Sequence, residues 1–210
     1  MPFWRCKGAF MIRIALEENL PYTFLALLVL ALFYGIYFAK MLVQKKHGIT
    51  TRQIGKRKEK TLHTVETCMA AATYAIVPAQ LASIAFGWNH MPQNARFTGF
   101  LIALVGDLIF LAAVICMKDS WRAGIPENDE TKMVTTGLYA FSRNPAFLGF
   151  DFMYIGVFFM YANALTGVLT LFCILMLHLQ ILQEEKYLTS VFGDEYIEYK
   201  KRVFRYLGRK

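Results

Sequence analysis

The sequence predicts an all-α, polytopic membrane protein. Of its 210 residues 56% are hydrophobic and only 18% are charged, whereas soluble domains carry about 25% charged residues. Apolar segments long enough, or nearly long enough, to cross a bilayer as helices recur along the chain. There are about five of them, at residues 20–43, 63–88, 97–117, 146–161 and 164–182. Together these observations argue against a soluble enzyme and for one integral-membrane domain over residues 1–210.

The ends of this domain and its last two segments have their own patterns. Only Ala162 and Asn163 separate the fourth segment from the fifth, which predicts a tight helical hairpin. Residues 1–19 carry early basic residues but no continuous apolar core, so we interpret them as an interfacial lead-in rather than a cleaved signal peptide. Residues 194–206 place Tyr196 and Tyr199 on one face and charges on the other, which predicts an amphipathic cytoplasmic helix lying in the interface.

The distribution of Lys and Arg predicts the orientation. Residues 44–60, 118–143 and 186–210 carry seven, four and seven of them, whereas the alternate connections carry three, one and none. Because basic loops stay in the cytoplasm, the N-terminus is expected outside. This accounts for the net charge of +8 without nucleic-acid binding. Lys45, Lys46 and residues 56–60 could in addition hold anionic lipid headgroups.

The cysteines give no sign of a metal centre. They stand at positions 6, 68, 116 and 173, without Cys-x-x-Cys spacing or neighbouring His residues. We therefore expect no bound metal, and we expect reduced cysteines that pack as small hydrophobic residues.

The segment TTGLYAFSRNPAFLGF, residues 135–150, combines a turn with a helix start. Gly137 permits backbone conformations that other residues avoid, and Asn144 followed by Pro145 is typical of a helix N-terminus. Arg143 beside that N-terminus favours an anionic ligand. The alternative is a purely structural cap, with Arg143 reaching lipid phosphate.

Other polar residues lie in or beside the apolar segments. Glu184 and Glu185 follow the fifth segment, where they could either bind a ligand or simply begin a solvated stretch. His178 lies seven residues before Glu185 and hence on the same helix face. Asp107 and Asp151 need partners inside the membrane, for which helix–helix hydrogen bonds are expected.

The order of three motifs resembles a known family. TGLYAFSRNPAFLG, then EE, then FGDEYIEYKKRV are similar to the isoprenylcysteine carboxyl methyltransferase family, which shares this region with phospholipid methyltransferases. The resemblance covers about residues 118–206, so that residues 118–210 form the cofactor-binding half and residues 1–117 a variable membrane half. It implies S-adenosylmethionine as the cofactor.

Residue by residue, the resemblance implies a cofactor site between the turn and the tail. One wall comprises Gly137, Leu138, Tyr139, Arg143, Asn144 and Pro145, and the other comprises Glu184, Glu185, Tyr196 and Tyr199. The chain departs from the family pattern where Leu138 replaces Pro, Phe147 replaces Tyr and Asn144 replaces the commoner His. Residues 180–183 also lack an Arg before the Glu pair.

The implied chemistry favours a carboxylate acceptor. A carboxylate is already ionised and needs no base, whereas an amine or a thiol must lose a proton. Glu185 and Arg202 are the candidate catalytic residues, and Arg122 and His178 are candidates for contacting a lipophilic or lipidated substrate that enters from the bilayer.

Several alternatives remain open from the residues. They are phospholipid N-methylation, thiol S-methylation, an NADPH-dependent reductase of sterol type, and a non-enzymatic membrane scaffold. Gly and Ala residues of the second segment could serve packing within one chain or within a homo-oligomer.

Overall fold

The computed structural model describes residues 3–54, 59–125 and 132–209, with the backbone alone for residues 3–18. Its α-helices are α1 (Phe3–Lys46), α2 (Lys60–Ala85), α3 (Gln93–Met117), α4 (Pro145–Met160), α5 (Ala164–Phe192) and α6 (Asp194–Arg202). Two short 3-10 turns cover Lys118–Ser120 and Gly137–Ala140. No strand longer than an isolated bridge occurs in these described ranges. The predicted all-α class is confirmed.

The helices are those of a polytopic membrane protein. Four segments are long and apolar enough to span a bilayer: Asn19–Lys46, Lys60–Ala85, Gln93–Ser120 and Ala164–Phe192. Helix α4 is apolar but has only 16 residues, a length of about 24 Å against a bilayer core of about 30 Å. Large apolar side chains such as Leu171 and Val168 point outward. The predicted count of about five spans stays a prediction.

Two helices differ in length from the sequence prediction. The backbone of residues 3–19 continues into α1 as one helix through Pro21, so the lead-in is not a separate element. Helix α5 ends at Phe192 instead of residue 182. Glu184 and Glu185 consequently lie inside a helix, where their positions are fixed by its hydrogen bonds.

Glycines let the backbones of α3 and α4 approach each other closely. A Cβ on Gly106 would lie 2.7 Å from the nitrogen of Met153, and a Cβ on Gly149 would lie 2.9 Å from the oxygen of Gly106. Asp107 follows directly in α3, but neither carboxylate oxygen has a hydrogen-bond partner among the described residues. One carboxylate oxygen of Asp151 also lacks such a partner. The helix–helix hydrogen bonds expected for these two residues are therefore not formed.

The predicted hairpin is confirmed at the turn between α4 and α5. The side chain of Asn163 accepts a hydrogen bond from the backbone of Thr166, whose hydroxyl in turn accepts one from the backbone of Asn163. At the same end of the bundle, Arg96 donates to the Met160 carbonyl at 2.9 Å and to Asn19 at 2.7 Å. Polar contacts thus involve α1, α3, α4 and α5 at this end.

The other end, which we call the site end, is where α1, α3 and α5 finish and α2 and α4 begin. Two of its connections are joined by backbone hydrogen bonds, from Gln53 to the Ala123 carbonyl at 2.8 Å and from Ala123 to the Thr51 carbonyl at 3.0 Å. Gln44 adds a bond to the Trp121 carbonyl. The loop after α1 is thereby held against the loop after α3, beside the turn that opens α4.

Candidate active site

An ion triad at the site end, with two of its three members buried, joins three parts of the sequence. Glu185 of α5 accepts hydrogen bonds from Arg143 of the turn at 2.6 Å and from Arg205 of the tail at 2.9 Å. The side chains of Glu185 and Arg143 are only 8% and 7% exposed. The hydrogen bond to Glu185 raises the pKa of Arg205 above its usual value. A carboxylate engaged by two guanidinium groups is a strong, geometrically specific contact.

The turn is shaped by its own residues. Gly137 has a φ of +63°, and a Cβ there would lie 2.6 Å from the sulfur of Cys116, so only glycine fits. Pro145 opens α4 as predicted, but the side chain of Asn144 does not cap the helix. Its amide instead donates to Glu185 at 3.3 Å and to the Arg205 carbonyl at 3.1 Å. Asn144 thus connects the turn to the triad.

The tail after α6 pairs with the turn through backbone groups. The Arg143 nitrogen donates to the Phe204 carbonyl at 3.1 Å, and the Gly208 nitrogen donates to the Phe141 carbonyl at 2.7 Å. The Arg143 side chain also donates to the Val203 carbonyl at 2.9 Å. These bonds hold residues 203–208 across the start of α4.

The aromatic face of α6 packs on protein. Tyr196 and Tyr199 are 2% and 3% exposed, and the Tyr199 hydroxyl donates to the Tyr139 carbonyl at 2.6 Å. Burial raises the pKa of Tyr199 to about 12, so this phenol stays a neutral donor at physiological pH. Residues 194–202 form the amphipathic helix that the sequence predicts, and its aromatic face packs on the turn. Its place in the membrane interface stays a prediction.

A cavity of about 130 Å³, the turn cavity, opens between the turn, α5 and α6. Its polar lining includes Arg143, Asn144, Glu184 and Lys132. Glu184 accepts a hydrogen bond from Gln180 at 3.2 Å. Aromatic side chains complete the wall: Trp121, Tyr139, Phe147, Tyr187, Phe192, Tyr196 and Tyr199.

A larger cavity of about 690 Å³, the bundle cavity, lies between α1, α2, α4 and α5. Apolar and aromatic residues form most of its wall, for example Phe38, Met69 and Phe150. Arg52 and Arg122 line it as well. Such a shape and lining suit a ligand with a long apolar part and a charged or polar end.

The two cavities share one wall. Six residues border both of them: Trp121, Arg122, Gly124, Ala146, Phe147 and Glu184. Ala146 and Phe147 come from the first turn of α4, Glu184 comes from α5, and the other three residues come from the loop after α3. A ligand in the turn cavity and a ligand in the bundle cavity would therefore contact the same six residues.

The structure brings together some of the predicted site residues and separates others. Lining the turn cavity are Tyr139, Arg143, Asn144, Glu184, Tyr196, Tyr199 and Arg122. Gly137, Leu138, Pro145 and Glu185 adjoin this region without lining either cavity. The roles given to all these residues stay predictions.

Two further predicted residues lie away from both cavities. Arg202 is exposed, and its Nε donates to the Glu198 carbonyl at 3.4 Å. His178 contacts the Tyr206 hydroxyl through Nδ1 at 2.5 Å, with the two rings stacked. A catalytic role for Arg202 and a substrate contact for His178 stay predictions, and neither has support from the cavity geometry.

Three important residues were not identified as site residues from the sequence. Arg205 was assigned to the polar face of α6, although the tail ends that helix at Arg202 and turns Arg205 onto Glu185. Arg52 and Tyr34 lie in the first half of the chain, where no motif marks them. Only the periodic basic and aromatic pattern could have suggested Arg205, and no signal was available for the other two.

No group of three or more His, Cys, Asp or Glu side chains arranged to hold a metal occurs within the described ranges. The fold and cavities define a polytopic helical membrane protein with a partly polar cavity at one end and a mostly apolar cavity beside it. Comparisons with known proteins relate part of this chain to a known family.

The sequence model of the isoprenylcysteine carboxyl methyltransferase (ICMT) family matches residues 99–190. This confirms the predicted resemblance over residues 99–190. They contain the turn, α4 and the Glu pair, whereas α1 and α2 lie outside the match.

Curated relatives agree with the family match. The chain is 29% identical to protein-S-isoprenylcysteine O-methyltransferase of Saccharomyces cerevisiae, over 68% of this chain and 63% of that protein. It is 31% identical to the human protein of that name, over 55% of this chain and 43% of the relative. The Schizosaccharomyces pombe protein of that name is 35% identical to the chain, over 51% of this chain and 53% of that relative. The matches thus cover about two fifths to three fifths of the length of these relatives.

Proposed function

We propose that this protein is an integral-membrane, S-adenosylmethionine-dependent methyltransferase that O-methylates the carboxylate of a prenylcysteine-like, lipophilic acceptor. The observation that carries the proposal is the wall shared by the turn cavity and the bundle cavity. A polar donor and an apolar acceptor could occupy separate cavities and still meet there. The family match and the names of the relatives support this activity.

The turn cavity has the chemistry that S-adenosylmethionine requires. Glu184 offers a carboxylate for ribose hydroxyl or amino groups, and Lys132 offers a cation for the carboxylate of the methionine part. Tyr139, Tyr196 and Tyr199 supply aromatic surface for an adenine ring. Arg143 also lines the cavity, but its guanidinium is engaged by Glu185. We therefore assign cofactor binding to Glu184 and a supporting role to the triad.

The chain's contribution to the reaction is alignment. When bound, S-adenosylmethionine supplies an electrophilic methyl group on a sulfonium. A carboxylate acceptor attacks without a base, so holding the two groups in line is the main requirement, and alignment of this kind contributes several kcal/mol. Phe147 and Glu184, on two packed helices, fix the wall where the groups meet.

The charges near the shared wall favour an anionic acceptor. Arg122 borders both cavities, and its Nη1 donates to the Asp119 and Trp121 carbonyls, which fixes the guanidinium close to the wall. Arg52 lies over the Tyr74 ring, 5.6 Å from its centroid, and lines the bundle cavity. These two cations would attract a carboxylate at the end of an apolar molecule.

Amine and thiol acceptors have less support. The six residues of the shared wall include no His or Cys, and Glu184 is their one carboxylate. A protonated amine or a thiol would need a base at this place, and Glu184, which we assign to the cofactor, is the wall residue that could act as one. Phospholipid N-methylation and thiol S-methylation are thus alternatives that the product of the reaction distinguishes.

The proposed orientation places the site end in the cytoplasm. The loops and tail at this end carry the Lys- and Arg-rich stretches, as the positive-inside rule requires. The polar donor would enter there, and the acceptor would enter the bundle cavity from the bilayer. Of the basic residues proposed to hold lipid headgroups, residues 56–58 lie outside the described residues.

The proposal is tested by following a labelled methyl group. Purified protein in detergent is incubated with methyl-labelled S-adenosylmethionine and a total extract of lipids and small thiols, and the labelled product is identified. In parallel, binding of S-adenosylhomocysteine is titrated. We expect saturable binding and label in a lipophilic methyl ester. Absence of both would overturn the proposal, and oxidation of added NADPH without methyl transfer would favour the reductase alternative.

A further inference from the structure

The chain after α6 forms a small loop at the site end, residues 203–209, which we call the tail loop. Val203 and Arg209 pair at its base as an isolated antiparallel bridge. Near its tip, the Tyr206 hydroxyl contacts Nδ1 of His178 at 2.5 Å, with the two rings stacked. This contact fixes the tip of the tail loop against α5.

The position of His178 puts this tip at the depth of the bilayer. His178 stands 14 residues after Ala164, where α5 begins, which is about 21 Å along the helix axis. The hydrocarbon core of a bilayer is about 30 Å thick. Leu175 and Leu182, three residues before and four residues after His178, lie on the same helix face, and both are exposed. The tail loop therefore packs beside a stripe of α5 that faces lipid.

The backbone of the tail loop meets the condition for lying in lipid. Irregular backbone is tolerated at bilayer depth only where its polar groups are satisfied within the protein. The Phe204 nitrogen donates to the Gly208 carbonyl at 3.0 Å. The carbonyls of residues 203–205 accept hydrogen bonds from Arg143 and Asn144. With these groups paired, the loop can contact acyl chains at little cost.

The side chains of the tail loop suit a lipid partner. Phe204 and Leu207 are exposed. Phe141 of the neighbouring turn is exposed as well, and its carbonyl accepts a hydrogen bond from Gly208 at 2.7 Å. Arg209, at the base of the loop, lies over the Phe141 ring, 5.7 Å from its centroid. An apolar tip with a cation at its base is typical of a segment that contacts acyl chains and phosphate groups together.

We propose that the tail loop lies in the lipid bilayer at the site end, with its exposed apolar side chains and Phe141 among the acyl chains and Arg209 at the phosphate groups. The same loop carries Arg205, whose guanidinium donates to Glu185 at 2.9 Å. Contact with lipid therefore holds Arg205 in the triad. The partner is the membrane itself, and this inference does not depend on the reaction that the protein catalyses.

The location of the tail loop is tested by fluorescence quenching. Leu207→Trp is reconstituted in nanodiscs of phosphatidylcholine that is either plain or brominated in the upper part of its acyl chains. Bromine quenches a tryptophan that it contacts, and the signal of the chain's own tryptophans is subtracted with the unaltered protein. Glu198→Trp is the matched control, because Glu198 is exposed and pairs with Lys201.

We expect strong additional quenching for Leu207→Trp in the brominated lipid and none for Glu198→Trp. Equal signals from Leu207→Trp in plain and brominated lipid would overturn the proposal, because the loop would then lie in water.

A second measurement tests whether lipid contact holds the loop on the triad. Leu207→Glu places a charge among the acyl chains, so the tail loop should open more often. The Arg143 amide, which donates to the Phe204 carbonyl, should then exchange its hydrogen about tenfold faster in nanodiscs, the effect of part of the transfer free energy of one leucine. Leu207→Gln serves if this variant does not fold.

Phe86→Glu is the control for hydrogen exchange. Phe86 is about as exposed as Leu207, but it follows α2 at the opposite end of the bundle. The Arg143 amide should exchange in this variant as it does in the unaltered protein. Unchanged exchange in the Leu207 variant as well would overturn the proposed link between lipid contact and the triad.

Discussion

Glu185 and Arg143 stand 42 residues apart in the chain and form a hydrogen-bonded ion pair of 2.6 Å. Arg205 completes the contact from the tail at 2.9 Å. This triad joins the end of α5, the start of α4 and the residues after α6. The turn cavity lies between the same elements, so the triad determines its shape.

Removing the central charge of the triad should destabilise the protein. Glu185→Gln leaves the guanidinium of Arg143 buried without a carboxylate, which costs about 3 kcal/mol for a buried pair. The matched control is Glu198→Gln, whose pair with Lys201 has the same 2.6 Å distance but is more than 60% exposed. Exposed pairs contribute little. In detergent, the thermal unfolding midpoint should fall strongly for the Glu185 variant and hardly at all for the Glu198 variant. An equal fall in both midpoints would contradict the account.

The glycine contact between α3 and α4 should not tolerate a methyl group. Gly106→Ala would place Cβ 2.7 Å from the Met153 nitrogen, and overpacking of this kind costs about 1–3 kcal/mol. Gly35→Ala is the control, since no atom lies within 4 Å of its added Cβ. Unfolding midpoints should fall for the first variant only. A stable Gly106→Ala protein would show that the helices do not pack as described.

Glu184 and Glu185 should differ in their effects on the cofactor. Glu184→Gln removes the carboxylate that lines the turn cavity, so S-adenosylhomocysteine binding should weaken about tenfold, the effect of a charged hydrogen bond. Because its carboxylate is not in the triad, the unfolding midpoint should change little. Titration calorimetry measures the binding and thermal unfolding measures the midpoint, both on the same sample. Unchanged binding would remove Glu184 from the cofactor site.

Phe147 should control passage between the cavities. Phe147→Trp adds bulk to the shared wall and should lower methyl transfer more than tenfold, while S-adenosylhomocysteine binding changes little, because misplacement of about 1 Å can cost about 100-fold in rate. Phe147→Tyr restores the residue common in the family and should keep both methyl transfer and S-adenosylhomocysteine binding. Loss of cofactor binding in the Trp variant, without loss of folding, would contradict a role at the wall.

Much of the fold could be predicted because membranes constrain helices strongly. The start of α4 at Pro145 and the turn at Asn163 follow from local preferences and were located within a residue. The end of α5 at Phe192 was missed because the apolar pattern stops near residue 182, whereas the helix continues on contacts with the turn and α6. Hydropathy predicts where a helix lies in the membrane, but it does not predict contacts that extend the helix beyond the membrane.

The candidate site was predictable only in part. Motif order placed Arg143, Asn144 and the Glu pair together, and they do meet. Which Glu faces a cavity could not be predicted, since two adjacent helical residues point about 100° apart and the outcome depends on Arg205. The bundle cavity is lined by α1, α2, α4 and α5, and no local pattern in the sequence encodes how these helices pair.

The central claim is that a methyl group passes from the turn cavity to a carboxylate in the bundle cavity. Its most direct test is transfer from methyl-labelled S-adenosylmethionine to S-farnesylcysteine by the purified protein, followed by mild alkali. A methyl ester releases labelled methanol under these conditions, whereas methyl groups on nitrogen or sulfur stay bound. We predict saturable transfer with alkali-labile label. Label that resists alkali, or no transfer despite saturable S-adenosylhomocysteine binding, would contradict the claim.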